Sequence, residues 1–261
     1  MSRPLRLFIS PCPNDTFMFD AIVNRRIDLE GLQFEVEYHD IEQLNEQALS
    51  RIADVTKCST AILPAISDAY ALLDSGSALG RGNGPLLVRR RGEREPLQHI
   101  AIPGEHTTAN ALVGRLFPEI KHRTPRLFSE IAEAVERGEF DAGVLIHEGR
   151  FVYAERNLEL VADLGLEWER RVSLPLPLGS IVVARDLGEE VAECVDRVLR
   201  RSIEYAFAHP EVSREYVKQH ARELDDDVIS QHIALFVNEF SLSLGDEGRR
   251  AIGELTGREI I

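Results

Sequence analysis

LRLFISPCPNDTFMFDAIV, residues 5–23, opens on a short apolar run, turns through two prolines and continues into a stretch rich in Phe, Met, Ala and Ile. Leu5–Ile9 reads as a buried strand, and Asn14 or Asp15 stands where it can cap a helix running to Val23. The alternation then repeats. Leu32–Tyr38 alternates apolar and polar residues as a half-buried strand does, and Asp40 with Gln43 forms a capping box that opens a helix through Leu49. Ala53–Cys58 is a third strand, with Ser59 or Thr60 starting the next helix. Strand, helix, strand, helix predicts an α/β fold whose strands run parallel and are joined by crossovers.

Downstream, the glycine-rich SGSALGRGNGP (75–85) leads to a strand at Pro85–Arg89, and RRRGEREP (89–96) then shifts sharply to charge, Gly and Pro. That shift reads as a surface loop crossing from one lobe to another. A second α/β block follows: strand His99–Ile102, helix Thr107–Leu116, helix Arg126–Arg137 closed by Gly138, and an apolar strand Phe140–Ile146 that runs into His147. Leu158–Val161 is a weaker strand, and SLPLPLG (173–179) returns the chain to a strand at Ser180–Ala184. The remainder is helical: Glu189–Ala208 with apolar residues at helical spacing, a helix opened by Pro210, then Asp225–Val237 and Asp246–Leu255. The pattern predicts a discontinuous lobe one (1–92 and 181–261), which carries the C-terminal helices, and a lobe two (93–180). Two crossings act as a hinge, and a ligand cleft lies between the lobes.

Composition narrows the ligand. The 261 residues are 44% hydrophobic and 28% charged, with a net charge of −14. Such a chain buries a core but has no basic field for nucleic acid or an anionic membrane surface. A small anion would have to be held locally, by a few cationic side chains, backbone N–H groups and helix N-termini. No run approaches the roughly 20 apolar residues of a membrane helix, and the N-terminal stretch lacks the apolar region of an export signal. Cys12, Cys58 and Cys194 are odd in number and form no C-x-x-C pair, which suits a reduced, cytoplasmic setting. No H-E-x-x-H or clustered Cys/His spacing predicts a metal, and no cofactor is expected. Asp225-Asp226-Asp227 reads as the start of a helix. Nothing in the pattern sets an oligomeric state.

Ligands of such sheets bind at the carboxyl ends of the strands. The loops there hold the candidates. Thr107 and Thr108 begin a helix and can hold a carboxylate, or can serve only as an N-cap. Lys57 and Ser59 end a buried strand, where a lysine faces either a ligand or solvent through its stem. Arg81 lies among Gly80, Gly82 and Gly84, in an order that is not G-x-G-x-x-G and equally suits a flexible turn. His147 is the sharpest candidate, a titratable group at a strand end and the usual kind of general base, or else a structural histidine bonded to a carbonyl. Glu148 orients it or begins the next helix. Asn14, Asp15 and Arg150 complete the possible supporting set. Cys12 reads as a small buried hydrophobe.

Taken in order, SPCPNDTFMF (10–19), TKCS (56–59), ALGRGNGPLLV (78–88), PGEHTTAN (103–110), GVLIHEGRF (143–151) and LPLPLG (174–179) resemble the 1,4-dihydroxy-6-naphthoate synthases of the futalosine route to menaquinone. The resemblance spans nearly the whole chain. It implies a periplasmic-binding-protein-like (type II) fold and a cytoplasmic, metal-independent carbon–carbon lyase. That enzyme would convert cyclic dehypoxanthine futalosine to 1,4-dihydroxy-6-naphthoate and dihydroxyacetone without an organic cofactor. It further implies substrate contacts at Lys57, Cys58, Ser59, Thr107 and Thr108, and proton abstraction by His147. Cys58 stands where an aliphatic residue is expected and Val152 where a threonine is, and the tail after Leu255 is short. The alternatives are a binding protein that captures a small anion without turning it over, and a sibling chorismate dehydratase of the same fold.

Overall fold

The computed structural model describes residues 3–82, 84–147, 149–221 and 225–258. Its strands are β1 (Leu5–Ile9), β2 (Phe34–Tyr38), β3 (Val55–Ser59), β4 (Tyr70–Leu72), β5 (Ala78–Gly80) and β6 (Leu86–Arg90). They continue with β7 (His99–Ile102), β8 (His122–Pro125), β9 (Ala142–Leu145), β10 (Leu158–Asp163) and β11 (Leu176–Ala184). The chain divides into two compact units, one built from the residues up to Gly80 and from Pro177 onward, the other from Arg81–Leu176.

The first unit holds a mixed sheet in the order β2-β1-β3-β11-β4, with β5 paired to β11. β1 runs parallel to β2 and β3, as the alternation predicts, but β11 is antiparallel to both β3 and β4. The expectation of wholly parallel strands is therefore corrected. Strand–helix alternation describes only the part of the sheet whose strands are joined by helical crossovers. The core lies between this sheet and the helices Pro13–Val23 and Glu189–Ala208. Leu7, Ile9, Met18, Phe19, Val198, Leu199 and Ile203 are all buried there, each worth about 1.5–3 kcal/mol when fully withdrawn from water. Ser202 anchors the two helices by donating from Oγ to the Met18 carbonyl at 2.6 Å.

Two helix starts resolve differently. Asp40 caps the helix Ile41–Leu49 with the full capping box, its carboxylate accepting from Gln43 N–H while the Gln43 side chain accepts from Asp40 N–H. The helix Pro13–Val23 does not use Asn14 or Asp15 as its cap. The cap position falls on Cys12, Pro13 occupies the first turn, and no side chain bonds the free N–H groups. Proline needs no cap for the N–H it lacks, which releases Asp15 for other partners.

The second unit holds the sheet β10-β6-β9-β7-β8. β7 is parallel to β8 and β9, and β6 is antiparallel to β9 and β10. Because β6 pairs here, it belongs to the second unit, and the break read at 92/93 moves to Gly80/Arg81. The charged 89–96 stretch turns between two strands of one sheet. The return falls at Leu176/Pro177. Trp168 is fully buried, and its indole N–H donates to the carbonyls of Leu174 and Pro175 at 3.1 and 3.2 Å. Gly143 in β9 allows the helix Ile131–Glu136 to lie close: a Cβ there would meet Ile131 Cγ2 at 2.4 Å. No helix among the described residues is long and apolar enough to cross a membrane.

Candidate active site

In the first unit, the carboxyl ends of the parallel neighbours β1 and β3 bring Asp15 and Lys57 together. Both side chains are buried, with Lys57 6% exposed and Asp15 at 0%, and they form an ion pair. Asp15 also accepts from Ser10 N–H at 3.1 Å, from Ser10 Oγ at 2.6 Å and from Asn14 Nδ2 at 2.8 Å. Asn14 is linked through Oδ1 to His232 Nε2 at 3.1 Å. Ser59 is fixed from the helix Ile41–Leu49: its N–H donates to Asn45 Oδ1 at 2.7 Å, and Asn45 Nδ2 donates to Ser59 Oγ at 3.0 Å. Successive strand residues point to opposite faces, so Cys58 projects away from Lys57 and Ser59. Its thiol is fully buried and is pushed up to about 12 by burial, an effect the Lys57 charge only partly offsets. A thiol so placed acts as a hydrophobe.

In the second unit, β9 delivers the chain to His147, whose backbone sits in the left-handed region at φ 53°. That conformation is costly for a residue with a Cβ, by roughly 1 kcal/mol or more. The imidazole packs edge-on against Phe128, with ring centroids 5.0 Å apart, and is half-buried. Three residues on, Arg150 donates to the carbonyls of Gly84 at 2.6 Å and Gly82 at 2.9 Å and lies 3.5 Å from Asp163. Burial lowers the affinity of this guanidinium for its proton, and Asp163 counters that. Glu169 accepts from Gly82 N–H at 2.6 Å, and Gly84 is pressed against Gly165, where a Cβ on Gly84 would come within 2.0 Å of the Gly165 nitrogen. The glycine stretch, open to a reading as a flexible turn, is thus held on both sides. Arg150 serves that loop, Arg81 is exposed at the unit boundary, and Glu148 lies outside the described residues.

Thr107 caps the helix Thr108–Leu116, its hydroxyl accepting from Asn110 N–H at 3.2 Å and donating to the Gly104 carbonyl at 2.9 Å. The capping reading of its hydroxyl therefore holds. Thr108, the first residue of that helix, is buried as well. No group of three or more His, Cys, Asp or Glu among the described residues is arranged to hold a metal ion.

Sequence reasoning missed Ser10, Asn45 and His232 as parts of the first cluster. His232 had a readable signal. It shares one buried face of its helix with Ile229 and Phe236, a polar residue at core spacing that needs a partner. Asn45 is likewise a buried polar residue on an otherwise apolar helix face.

Residues 5–259 match a protein family described as menaquinone biosynthesis. The chain belongs to the menaquinone biosynthesis family. This menaquinone biosynthesis family chain is 45% identical over 256 residues to a Thermus thermophilus protein named 1,4-dihydroxy-6-naphthoate synthase, covering 96% of this chain and 92% of that one. It is 41% identical over 261 residues to a Streptomyces coelicolor protein of the same name, covering 97% and 92%. A solved Archaeoglobus fulgidus structure superposes with a TM-score of 0.92 at 34% identity, over 98% of this chain and 96% of that one. A Candida albicans protein described as having the generic periplasmic binding protein fold gives a TM-score of 0.72 at 12% identity, over 98% and 89%. The menaquinone biosynthesis family chain therefore has the periplasmic-binding-protein fold.

Proposed function

We propose that this chain is a 1,4-dihydroxy-6-naphthoate synthase, a lyase that cleaves a carbon–carbon bond of cyclic dehypoxanthine futalosine to release 1,4-dihydroxy-6-naphthoate and dihydroxyacetone. The observation that carries the reading is the 45% identity to an enzyme of that name across 96% of the chain. His147 is the base. It removes a proton from a substrate hydroxyl; as the carbonyl forms, the adjacent carbon–carbon bond breaks in a retro-aldol-like step, the carbon left with the electron pair takes a proton back, and aromatisation of the new ring drives the reaction forward. Two sets of side chains are assigned to the substrate. In the first unit they are Lys57, Ser59 and the main chain of Cys58, backed by Asn14 and Asp15. In the second they are Thr107 and Thr108, whose helix start suits the carboxylate. Arg150 supports His147 through the Gly82–Gly84 loop. The substrate is a small carboxylate. The reaction belongs in the cytoplasm, where the thiols of Cys12, Cys58 and Cys194 stay reduced.

The test is direct. Purified protein incubated with cyclic dehypoxanthine futalosine is expected to generate the naphthoate absorbance together with dihydroxyacetone in equal amounts. Tight binding of that compound without its consumption would instead mark a capture protein, and loss of water from chorismate would mark the sibling dehydratase.

A further inference from the structure

We propose that Asp15 fixes the position of the Lys57 ammonium and offsets its charge, so that Lys57 donates to an uncharged oxygen of the substrate and leaves the carboxylate to other groups; this rests on the reading of Lys57 as a substrate contact. Asp15 receives four donors, two on each oxygen. Ser10 N–H and Ser10 Oγ bond Oδ2, while Asn14 Nδ2 and the Lys57 ammonium bond Oδ1. Asn14 is itself held by His232, from the helix Asp226–Phe236. With its acceptor sites filled and its neighbour anchored, the carboxylate has no freedom to swing toward or away from a ligand.

Lys57 is confined from the other side. β11 passes alongside β3 with Gly179 opposite Ser59. A Cβ on Gly179 would stand 3.0 Å from Lys57 Cε and 3.8 Å from Nζ, so the lysine stem lies flat against a backbone that carries no side chain. One of the three ammonium protons goes to Asp15. A lysine in this setting is one end of a buried dipole rather than an uncompensated cation. A substrate carboxylate drawn to it would also meet Asp15, and in a poorly screened interior that repulsion cancels much of the attraction. A hydroxyl or carbonyl oxygen meets no such opposition. The fold has little need of the pair in its own right, since a buried ion pair seldom stabilises more than an apolar pair of the same size. Asp15 is thus a positioning residue, and Gly179, Asn14 and His232 support the same arrangement.

The experiment compares the wild type with Asp15→Asn, Gly179→Ala, Lys57→Met and the double variant Asp15→Asn/Lys57→Met, in turnover of cyclic dehypoxanthine futalosine and in competitive inhibition by benzoate. Asp15→Asn keeps the shape of the side chain and leaves the ammonium uncompensated. It is expected to raise KM by about tenfold with kcat within about threefold, and to tighten benzoate inhibition, because Lys57 then attracts any carboxylate. Gly179→Ala is expected to raise KM several-fold without tightening benzoate, since it displaces the ammonium but leaves Asp15 in place. In the Lys57→Met background, Asp15→Asn should have no further effect on either quantity. The proposal is overturned if folded Asp15→Asn leaves both quantities within twofold of the wild type, or if its effects persist once Lys57 is gone. Should Asp15→Asn fail to fold, an unchanged KM in Gly179→Ala overturns it. An unchanged KM in Lys57→Met alone is a different result, which removes Lys57 from the substrate and with it the reading on which the proposal rests.

Discussion

The ends of β3 and β9 make an instructive pair. Each closes a fully buried strand that has a parallel neighbour, and each presents a polar side chain where such sheets bind ligands. They hold that side chain by opposite means. Lys57 is held at its tip, by a buried carboxylate that other groups saturate, while its strand backbone is unremarkable. His147 is held at its root. Its backbone is in the left-handed region and Arg150 fastens the following turn to two glycine carbonyls, while the ring keeps partial access to solvent. The contrast suits the roles proposed for them: a recognising group gains from a locked tip, since any play there weakens discrimination, and a group that takes up and gives back a proton gains from a fixed root and an accessible tip.

The largest effect is expected at the root-held group. His147→Ala should lower kcat by about 10²- to 10⁴-fold, the usual contribution of a general base, with little change in the melting temperature. Wild-type-like turnover in that variant would remove the chemical half of the contrast and leave the fold untouched. Gly84→Ala tests what secures the root. Its Cβ would land 2.0 Å from the Gly165 nitrogen, so denaturant unfolding is expected to show a loss of about 3 kcal/mol. A loss below about 1 kcal/mol would mean that the loop yields easily and does not anchor Arg150. The smallest effect on stability belongs to His147→Gly. Glycine takes the left-handed conformation without strain but loses more entropy on folding, so stability should stay level or rise by up to about 1 kcal/mol while turnover is lost. A stability loss of more than that would show that the imidazole, and not the backbone, carries the constraint.

The longest helix was legible in the sequence to the residue. Glu189–Ala208 shows one apolar face over its whole length, and Pro210 opens its successor. The strands β1 and β7 were equally plain, each a short apolar run closed by a turn. The elements that escaped are short or compositionally misleading. β4 and β5 have three residues each, too few for any period to show, and β5 sits inside the glycine-rich stretch. β8 reads HRTP, charged and ending in proline, and is a strand only because β7 pairs with it along one edge. The helix Leu164–Val172 has a readable cap in Asp163, but Gly165 in its first turn resembles a breaker, and its real purpose is the close contact with Gly84.

At the candidate site, the sequence pointed to loops but not to the partners of the residues within them. Asp15 stood as a helix cap because capping is the common use of aspartate beside a helix start, and nothing local announces a lysine 42 residues away. Arg150 stood only as a possible supporting residue, with no partner named, because its carbonyl partners lie 66 and 68 residues back. Both cases concern long-range hydrogen bonds between polar residues, the class of contact on which periodicity is silent.

The position of β11 has a consequence for how the chain is made. This strand lies between β3 and β4 in the first sheet and also pairs with β5, yet it follows the whole of the second unit in the sequence. On the ribosome, β1 and β3 emerge early and wait with an unfilled edge until residues up to Ala184 have appeared. The second sheet needs nothing beyond β10, so it can close while the first is still incomplete. The strands of the second sheet are thus all available before the first sheet can be completed, and the long helix Glu189–Ala208, which covers the first sheet, is made later still.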